Sequence, residues 1–414
     1  MPLGNRFSLL FASVLCLGTL PAWSADQSPA AWTLGAARSP STLSSPAAVR
    51  AVTVHLRQQA FDGTASVLHL DVFGRQYQFV DGRKSAASPE RYSWTGHLLG
   101  QADFQAQLSV RDGALAGLIS LPEGVFELVP SASGNLLVEL DPKRFPECAG
   151  GVDAEGAVAV ETVAPTPTLR ALQDVGEEIK VLVMYTPAAR DAAGGVAQIE
   201  AQAQAAVDNA NLSFSNSSMR MRFIVAGIEL LDGWVEGSAS ASTELSLFRN
   251  NATAQARRDA LNADLVSLLV ANLPSACGIG YVMRNVSVSF APSGYQLTDR
   301  DCAVGNLSWA HEHGHNVGFE HDPANGTSPG NASQPWSFGH YVENGGSSYR
   351  TVMSYQCPAG GCTRRPYFSN PEVSFNGAPT GIAEQRDNAR TGDFVADIVA
   401  NFRVEGFSFR DGFE

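Results

Sequence analysis

The chain is 414 residues long and carries Lys+Arg 28 against Asp+Glu 41, a net charge of −13. That balance argues against nucleic acid or an anionic membrane surface as a partner, and the length allows two or three domains with packed cores. Gly 39 and Pro 22 fit a loop-rich exported protein.

Residues 1–25 read as a secretory signal. Arg6 supplies the positive end, Phe7 to Leu20 the apolar core, and Ala22-Trp23-Ser24-Ala25 a small-residue cleavage zone. This apolar run is too short to span a bilayer and no later one is long enough, so a soluble product is expected, extracellular or periplasmic in transit. Loss of Cys16 with the signal leaves five cysteines. In an oxidising compartment Cys277, Cys302, Cys357 and Cys362 are expected to pair, with Cys277–Cys302 and Cys357–Cys362 favoured among three formally open pairings. A four-cysteine zinc site is the alternative, and the spacings fit it poorly. Cys148 is left over.

Residues from about Asp26 to Ser45 are dominated by Ala, Ser and Pro, which predicts a disordered or extended lead-in. From Ala48 to Leu140 short alternating runs recur, such as Val52-Thr-Val-His-Leu, Phe104-Gln-Ala-Gln-Leu-Ser-Val and Leu136-Leu-Val-Glu-Leu. They are broken by Asp62-Gly63, Asp81-Gly82, Asp112-Gly113 and Glu123-Gly124, as hairpins are. A small antiparallel all-β domain is predicted, with His55, His69 and His97 as ordinary strand or turn histidines. Ala149 to Pro167 reads as an exposed linker.

Beyond it the pattern changes. Ile179 to Thr186 reads as a buried strand, Gly195 to Leu212 as a long Ala/Gln-rich helix and Met219 to Leu231 as a strand. A short helix over Thr253 to Leu261 follows, then strands at Leu265 to Val270 and Cys277 to Met283. A motif helix covers Asn306 to Val317, and a last helix runs roughly from Ala383 to Phe402. The expected class is α/β (α+β), with a mixed sheet.

The motif helix opens the stretch His311-Glu312-His313-Gly314-His315-Asn316-Val317-Gly318-Phe319-Glu320-His321, which holds four of the eight histidines. It reads H-E-x-x-H-x-x-G-x-x-H. Residues four apart share a helix face, so His311 and His315 project together. Gly318 supplies the positive φ that turns the chain back and lets His321 reach the same point. Three neutral imidazoles with an open fourth position describe one catalytic zinc ion, since structural sites are closed by four protein ligands. Glu312 adjoins the first ligand, where it can act as general base toward water on the ion. Calcium is not indicated.

This pattern resembles the metzincin zinc endopeptidases. Asn316 and Asp322 resemble the reprolysin (adamalysin) branch, and Thr351-Val-Met-Ser-Tyr355 resembles the Met-turn, whose Met353 would floor the ligands. Val181-Leu-Val-Met-Tyr-Thr-Pro and Tyr367-Phe-Ser-Asn-Pro are similar to segments of bacterial reprolysin-like and peptidyl-Asp metalloendopeptidases. The resemblance covers about Ile179 to Arg403, and the β-rich half is similar to their propeptides. One departure is Tyr355, where adamalysins carry proline. Astacin- and serralysin-type enzymes have tyrosine there, which implies a role in steadying the oxyanion.

The resemblance further implies that a peptide adds as a strand beside Gly278 to Met283. It also implies that Cys148, in Phe145-Pro-Glu-Cys-Ala-Gly-Gly-Val, acts as a cysteine switch on the zinc. Arg364 and Arg365 fall where metzincins wall a specificity pocket, though surface arginines are the default. His313 and His340 are taken as structural.

The expected organisation is a signal over 1–25, a β-rich propeptide with linker over 26–174, a zinc metalloprotease domain over 175–405 and a tail over 406–414. The expected product is a secreted, monomeric zinc endopeptidase made as a zymogen. It acts on proteins or peptides and is held by its own propeptide. The rival is a non-catalytic secreted zinc-binding or adhesion protein.

Overall fold

The computed structural model describes residues 30–154, 178–238, 240–343, 345 and 348–403. The expected export signal, most of the expected linker and the expected C-terminal tail therefore lie outside the described residues. In the N-terminal half, alternating side chains broken by turns give nine strands: β1 (Trp32–Arg38), β2 (Ala48–Leu56), β3 (Leu68–Val72), β4 (Arg75–Ser88), β5 (Arg91–Leu98), β6 (Gln101–Arg111), β7 (Ala114–Leu121), β8 (Gly124–Ser131) and β9 (Gly134–Leu140). They form one antiparallel sheet in the order β1-β2-β9-β8-β7-β6-β5-β4-β3.

Three details differ from the sequence expectation. Asp62-Gly63 is not a hairpin turn, since it links β2 to β3, which are not paired in the sheet. The lead-in contains β1, because Trp32 is fully buried and its indole N–H donates to Asp71 O at 2.8 Å. Asp81-Gly82 is not a hairpin break but a bulge within β4, with Asp81 at φ 51°. A Cβ on Gly82 would lie 2.4 Å from Ala65 O, so the glycine answers a close approach rather than a reversal.

The second half is built on a six-stranded mixed sheet. Its strands are β10 (Gly151–Asp153), β11 (Glu178–Tyr185), β12 (Arg222–Leu230), β13 (Leu265–Val270), β14 (Gly278–Val282) and β15 (Tyr295–Asp299), in the order β10-β14-β15-β13-β11-β12. Among these pairs only β14 with β15 is antiparallel. β13 is buried along its length and β11 along nearly all of it, as largely apolar strands in a covered parallel sheet are. β15 has no counterpart in the periodicity reading.

The helices are α1 (Pro187–Ala193), α2 (Val196–Asn216), α3 (Ala241–Arg249), α4 (Ala252–Ala260), α5 (Arg300–Ala303), α6 (Ser308–Asn316) and α7 (Asn388–Val399). α7 starts five residues later than its composition suggests, because Asp387 caps it by accepting from Arg390 N–H at 3.0 Å.

α2 packs against β6 and β7 of the first sheet and against β12 and α6 of the second half. Its small buried residues Ala201, Ala203, Ala205, Ala206 and Ala210 permit close approach on several sides. One apolar core therefore runs from Ala116, Leu118 and Leu136 through α2 into Ile179–Tyr185. A polar seam crosses the same contact. Asp208 accepts from Ser109 Oγ at 2.7 Å, Gln107 Nε2 at 3.2 Å and the Ser93 hydroxyl. Asn209 Nδ2 donates to Gln107 Oε1 at 2.8 Å.

Both favoured disulfides form. Cys277–Cys302 ties the start of β14 to α5, and Cys357–Cys362 closes a loop just after Tyr355. Cys148 stays free.

Candidate metal and catalytic centre

Every residue of α6 is buried, and the helix is clamped at both ends. Trp309 Nε1 donates to Ser267 Oγ at 2.9 Å, and Asn316 Nδ2 donates to Tyr281 O at 2.8 Å and Tyr295 O at 3.1 Å. Gly318, at φ 87°, then turns the chain, with Phe319 N–H donating back to Gly314 O at 2.8 Å. Beneath the helix lies buried Met353. A Cβ on Gly314 would sit 2.4 Å from its Sδ, so glycine lets the methionine close against the motif.

This turn brings three rings together. His321 Nε2 lies 3.2 Å from His311 Nε2 and 3.0 Å from His315 Nε2. Nitrogens about 2.1 Å from one tetrahedral ion stand roughly 3.3 Å apart, so the triangle fits a single zinc-sized cation. The opposite ring nitrogens meet carbonyls: His311 Nδ1 and Val352 O at 2.8 Å, His315 Nδ1 and Phe319 O at 2.8 Å, His321 Nδ1 and Asn325 O at 3.3 Å. A carbonyl only accepts, so each Nδ1 carries the proton and each Nε2 turns a lone pair to the centre. Burial lowers the pKa of all three, which favours the neutral, ligating form.

Glu312 is fully buried, and neither carboxylate oxygen makes a well-formed hydrogen bond among the described residues. Burial pushes its pKa well above the usual carboxylate range, with Arg364 and the nearby Cys148 thiol opposing. An orphaned buried carboxylate is costly, and such a group belongs to chemistry more often than to folding. Its room comes from β14: a Cβ on Gly278 would lie 2.5 Å from Glu312 Oε1 and 2.6 Å from its Cγ. Gly278→Ala is therefore expected to displace the carboxylate and lower kcat by about 10- to 100-fold. Metal content measured on the same preparation should not change, and a variant with wild-type kcat would show that the carboxylate's position is not limiting.

Tyr355 N–H donates to Asp322 Oδ2 at 3.1 Å, and the tyrosine ring lies 4.2 Å from that of His321. Its hydroxyl donates to Cys148 O at 2.9 Å. Cys148 Sγ stands 3.2 Å from His311 Nε2 and 3.1 Å from His321 Nε2, and the four donor atoms, His315 included, lie within 4.8 Å of one another.

The strand that delivers Cys148 runs along the free edge of β14. Cys277 N–H donates to Glu147 O at 3.1 Å, Ala149 N–H donates to Gly278 O at 2.9 Å, and β10 continues with Gly151 beside Gly280. The start of the expected exposed linker is thus a parallel strand lying in the cleft, where backbone pairing outweighs its Gly-rich composition. The edge on which a peptide was expected to add is covered by the chain's own residues 147–153.

Arg364 and Arg365 also differ from the surface reading, since both are buried. Their guanidinium groups are satisfied by oxygen acceptors: Arg364 Nη1 by Asn306 O at 2.8 Å, Arg365 Nη1 by Ser120 Oγ at 2.6 Å. Fully buried Arg350 joins Arg364 beside Glu147. Neither Arg350 nor Glu147 stands out in the sequence. His313 packs between Trp309 and Phe223, and His340 Nδ1 accepts from Arg386 at 3.0 Å, so both are structural.

A family model described as metallo-peptidase family M12 matches residues 176–369. A peptidyl-Asp metalloendopeptidase of Stenotrophomonas maltophilia (strain R551-3) is 32% identical over 304 residues, covering 71% of this chain and 70% of its own. One from Xanthomonas campestris pv. campestris is 30% identical over 383 residues, covering 87% of this chain and 88% of its own. A third, from Stenotrophomonas maltophilia (strain K279a), is 28% identical over 359 residues, covering 81% and 83%. With the histidine triangle inside the matched span, the chain belongs to the M12 metallopeptidase family and is a metalloendopeptidase.

Proposed function

We propose that the chain is a secreted endopeptidase made as a zymogen, with one zinc ion held by His311, His315 and His321 and with Glu312 as general base. The observation that carries this reading is a buried carboxylate, with no well-formed hydrogen bond among the described residues, beside three converging Nε2 lone pairs. Zinc in such a site supplies Lewis acidity, lowering the pKa of water to about 7 and polarising a carbonyl.

The chain's own groups do the rest. Once residues 147–153 leave, a peptide pairs with the free edge of β14 through main-chain hydrogen bonds. Glu312, whose burial favours taking up a proton, accepts one from the attacking water and passes it to the departing amine. The Tyr355 hydroxyl, released from Cys148 O, holds the charge that develops on the carbonyl oxygen. The relatives' names point to bonds at aspartyl residues. In the uncleaved chain the Cys148 sulfur, which stands beside His311 and His321 Nε2, would hold the ion together with the three histidines and leave water no place on it. A non-catalytic zinc-binding or adhesion protein would have no use for the unpaired carboxylate.

The processed protein is expected to carry one zinc per chain by elemental analysis. Chelation with 1,10-phenanthroline should abolish casein cleavage, and added zinc should restore it. Metal-free protein that still cleaves casein would sink the proposal.

A further inference from the structure

Glu147 directly precedes Cys148, and its carboxylate enters a recess with a cationic wall. Oε1 accepts from Gln356 N–H at 2.9 Å, while Oε2 lies 3.4 Å from Arg350 Nη1 and 3.9 Å from Arg364 Nη2. Neither guanidinium is a surface group: Arg350 is 0% and Arg364 6% exposed. Both are held rigidly, Arg350 Nη1 donating to Ser354 O at 2.9 Å and Arg364 Nη2 to the same oxygen at 3.2 Å. Among the described residues the Nε of each is buried without a hydrogen-bond partner. Burial, and then the neighbouring Arg364, bring the Arg350 pKa down to about 9.

Two like charges buried side by side are costly unless an anion joins them. Within the second half, Asp322 and Glu312 are near enough to be felt. Asp322, however, is already taken by the N–H groups of Tyr355 and Ala324 and by the Asn325 amide. Glu312 serves the metal centre. The anion that sits between the two arginines thus comes from the segment that must leave for the cleft to open. Arg365 plays no part, since it donates to Ser120 and Leu121 O and lies over Phe104 and Phe375.

We infer that Arg350, Arg364 and the Gln356 N–H form the subsite that selects an acidic side chain next to the scissile bond, and that Glu147 fills it in the uncleaved chain as a built-in decoy. The inference rests on the peptidase reading above. Position supports it: Glu147 is one residue from the sulfur that stands among the histidines, which is where a substrate residue adjoining the reacting carbonyl would lie. Chemistry supports it too. One carboxylate oxygen takes a backbone N–H and the other faces two cations, whereas an asparagine or glutamine would turn an NH₂ toward them. A site built on buried charges rejects such an isostere strongly, because the cations stay unmatched.

The test uses processed enzyme on a peptide digest of a proteome and on peptide pairs differing only in Asp against Asn. An acidic residue should be enriched at one position beside the cleaved bond, and kcat/KM should favour Asp by at least about a hundredfold. Arg364→Gln should shrink that Asp:Asn ratio at least tenfold, a change that general damage to the fold would not produce. In the full-length chain, Glu147→Gln should speed alkylation of Cys148 by iodoacetamide about tenfold, a readout that needs no turnover. Cleavage of the digest without acidic enrichment would overturn the subsite while leaving the peptidase standing. An unaltered ratio in folded Arg364→Gln would do the same, and alkylation of Glu147→Gln at the parental rate would remove the decoy. A chain that cleaves nothing would count against the peptidase reading, and the alkylation arm would still decide the role of Glu147.

Discussion

Glu312→Ala is expected to keep one zinc per chain and to lose casein hydrolysis by about 10²- to 10⁴-fold. Metal should stay because the converging donors are Nε2 atoms of His311, His315 and His321, and each ring is oriented by a backbone carbonyl rather than by Glu312. Stability should not fall either. Removing a buried carboxylate that makes no well-formed hydrogen bond among the described residues relieves a desolvation cost, so thermal unfolding should occur at the parental temperature or above. Inactivity in that variant would thus reflect lost proton transfer and not lost structure. Vigorous cleavage by folded, zinc-loaded Glu312→Ala would hand the role of base to another group.

Cys148→Ala in the full-length chain should release part, but not all, of the latent activity. The thiol is one of several ties holding residues 147–153: Ala149 pairs with Gly278, β10 pairs with β14, and Glu147 meets Gln356 and two arginines. Closure energy lost with the sulfur raises the open fraction about tenfold for every 1.4 kcal/mol removed. The expected outcome is a leak of at least about tenfold over the parental zymogen, still well below processed enzyme. Activity of uncleaved chain against a fluorogenic peptide, compared with the same chain after processing, gives the measurement. A Cys148→Ala zymogen as silent as its parent would mean that strand pairing alone shuts the cleft.

The centre was readable because its logic is local. Three histidines, a carboxylate and a turning glycine lie within eleven residues, so one helix face and the turn after it bring the side chains together. The β-rich first half was readable from alternation, and the two disulfides are the favoured one of three pairings that the sequence left open. What stayed hidden depends on distant partners. Asp81-Gly82 reads as a turn until Ala65 and Trp94 are seen crowding it. β1 reads as lead-in until Asp71 O receives the Trp32 indole. Arg350 and Arg364 stand fourteen positions apart and would sit on most surfaces. Their burial follows from Asn306 and Ser354 carbonyls that no pattern in the sequence connects to them.

The cladding of α2 on both sides bears on how activity is switched on. A cut between Ala154 and Glu178 would sever the covalent link and leave the shared apolar core and the seam through Asp208 in place. The nicked product is then a two-chain complex governed by mass action, and its tether no longer sets an effective concentration. Freshly nicked protein should stay quiet when concentrated and awaken on dilution, until the freed fragment is itself digested.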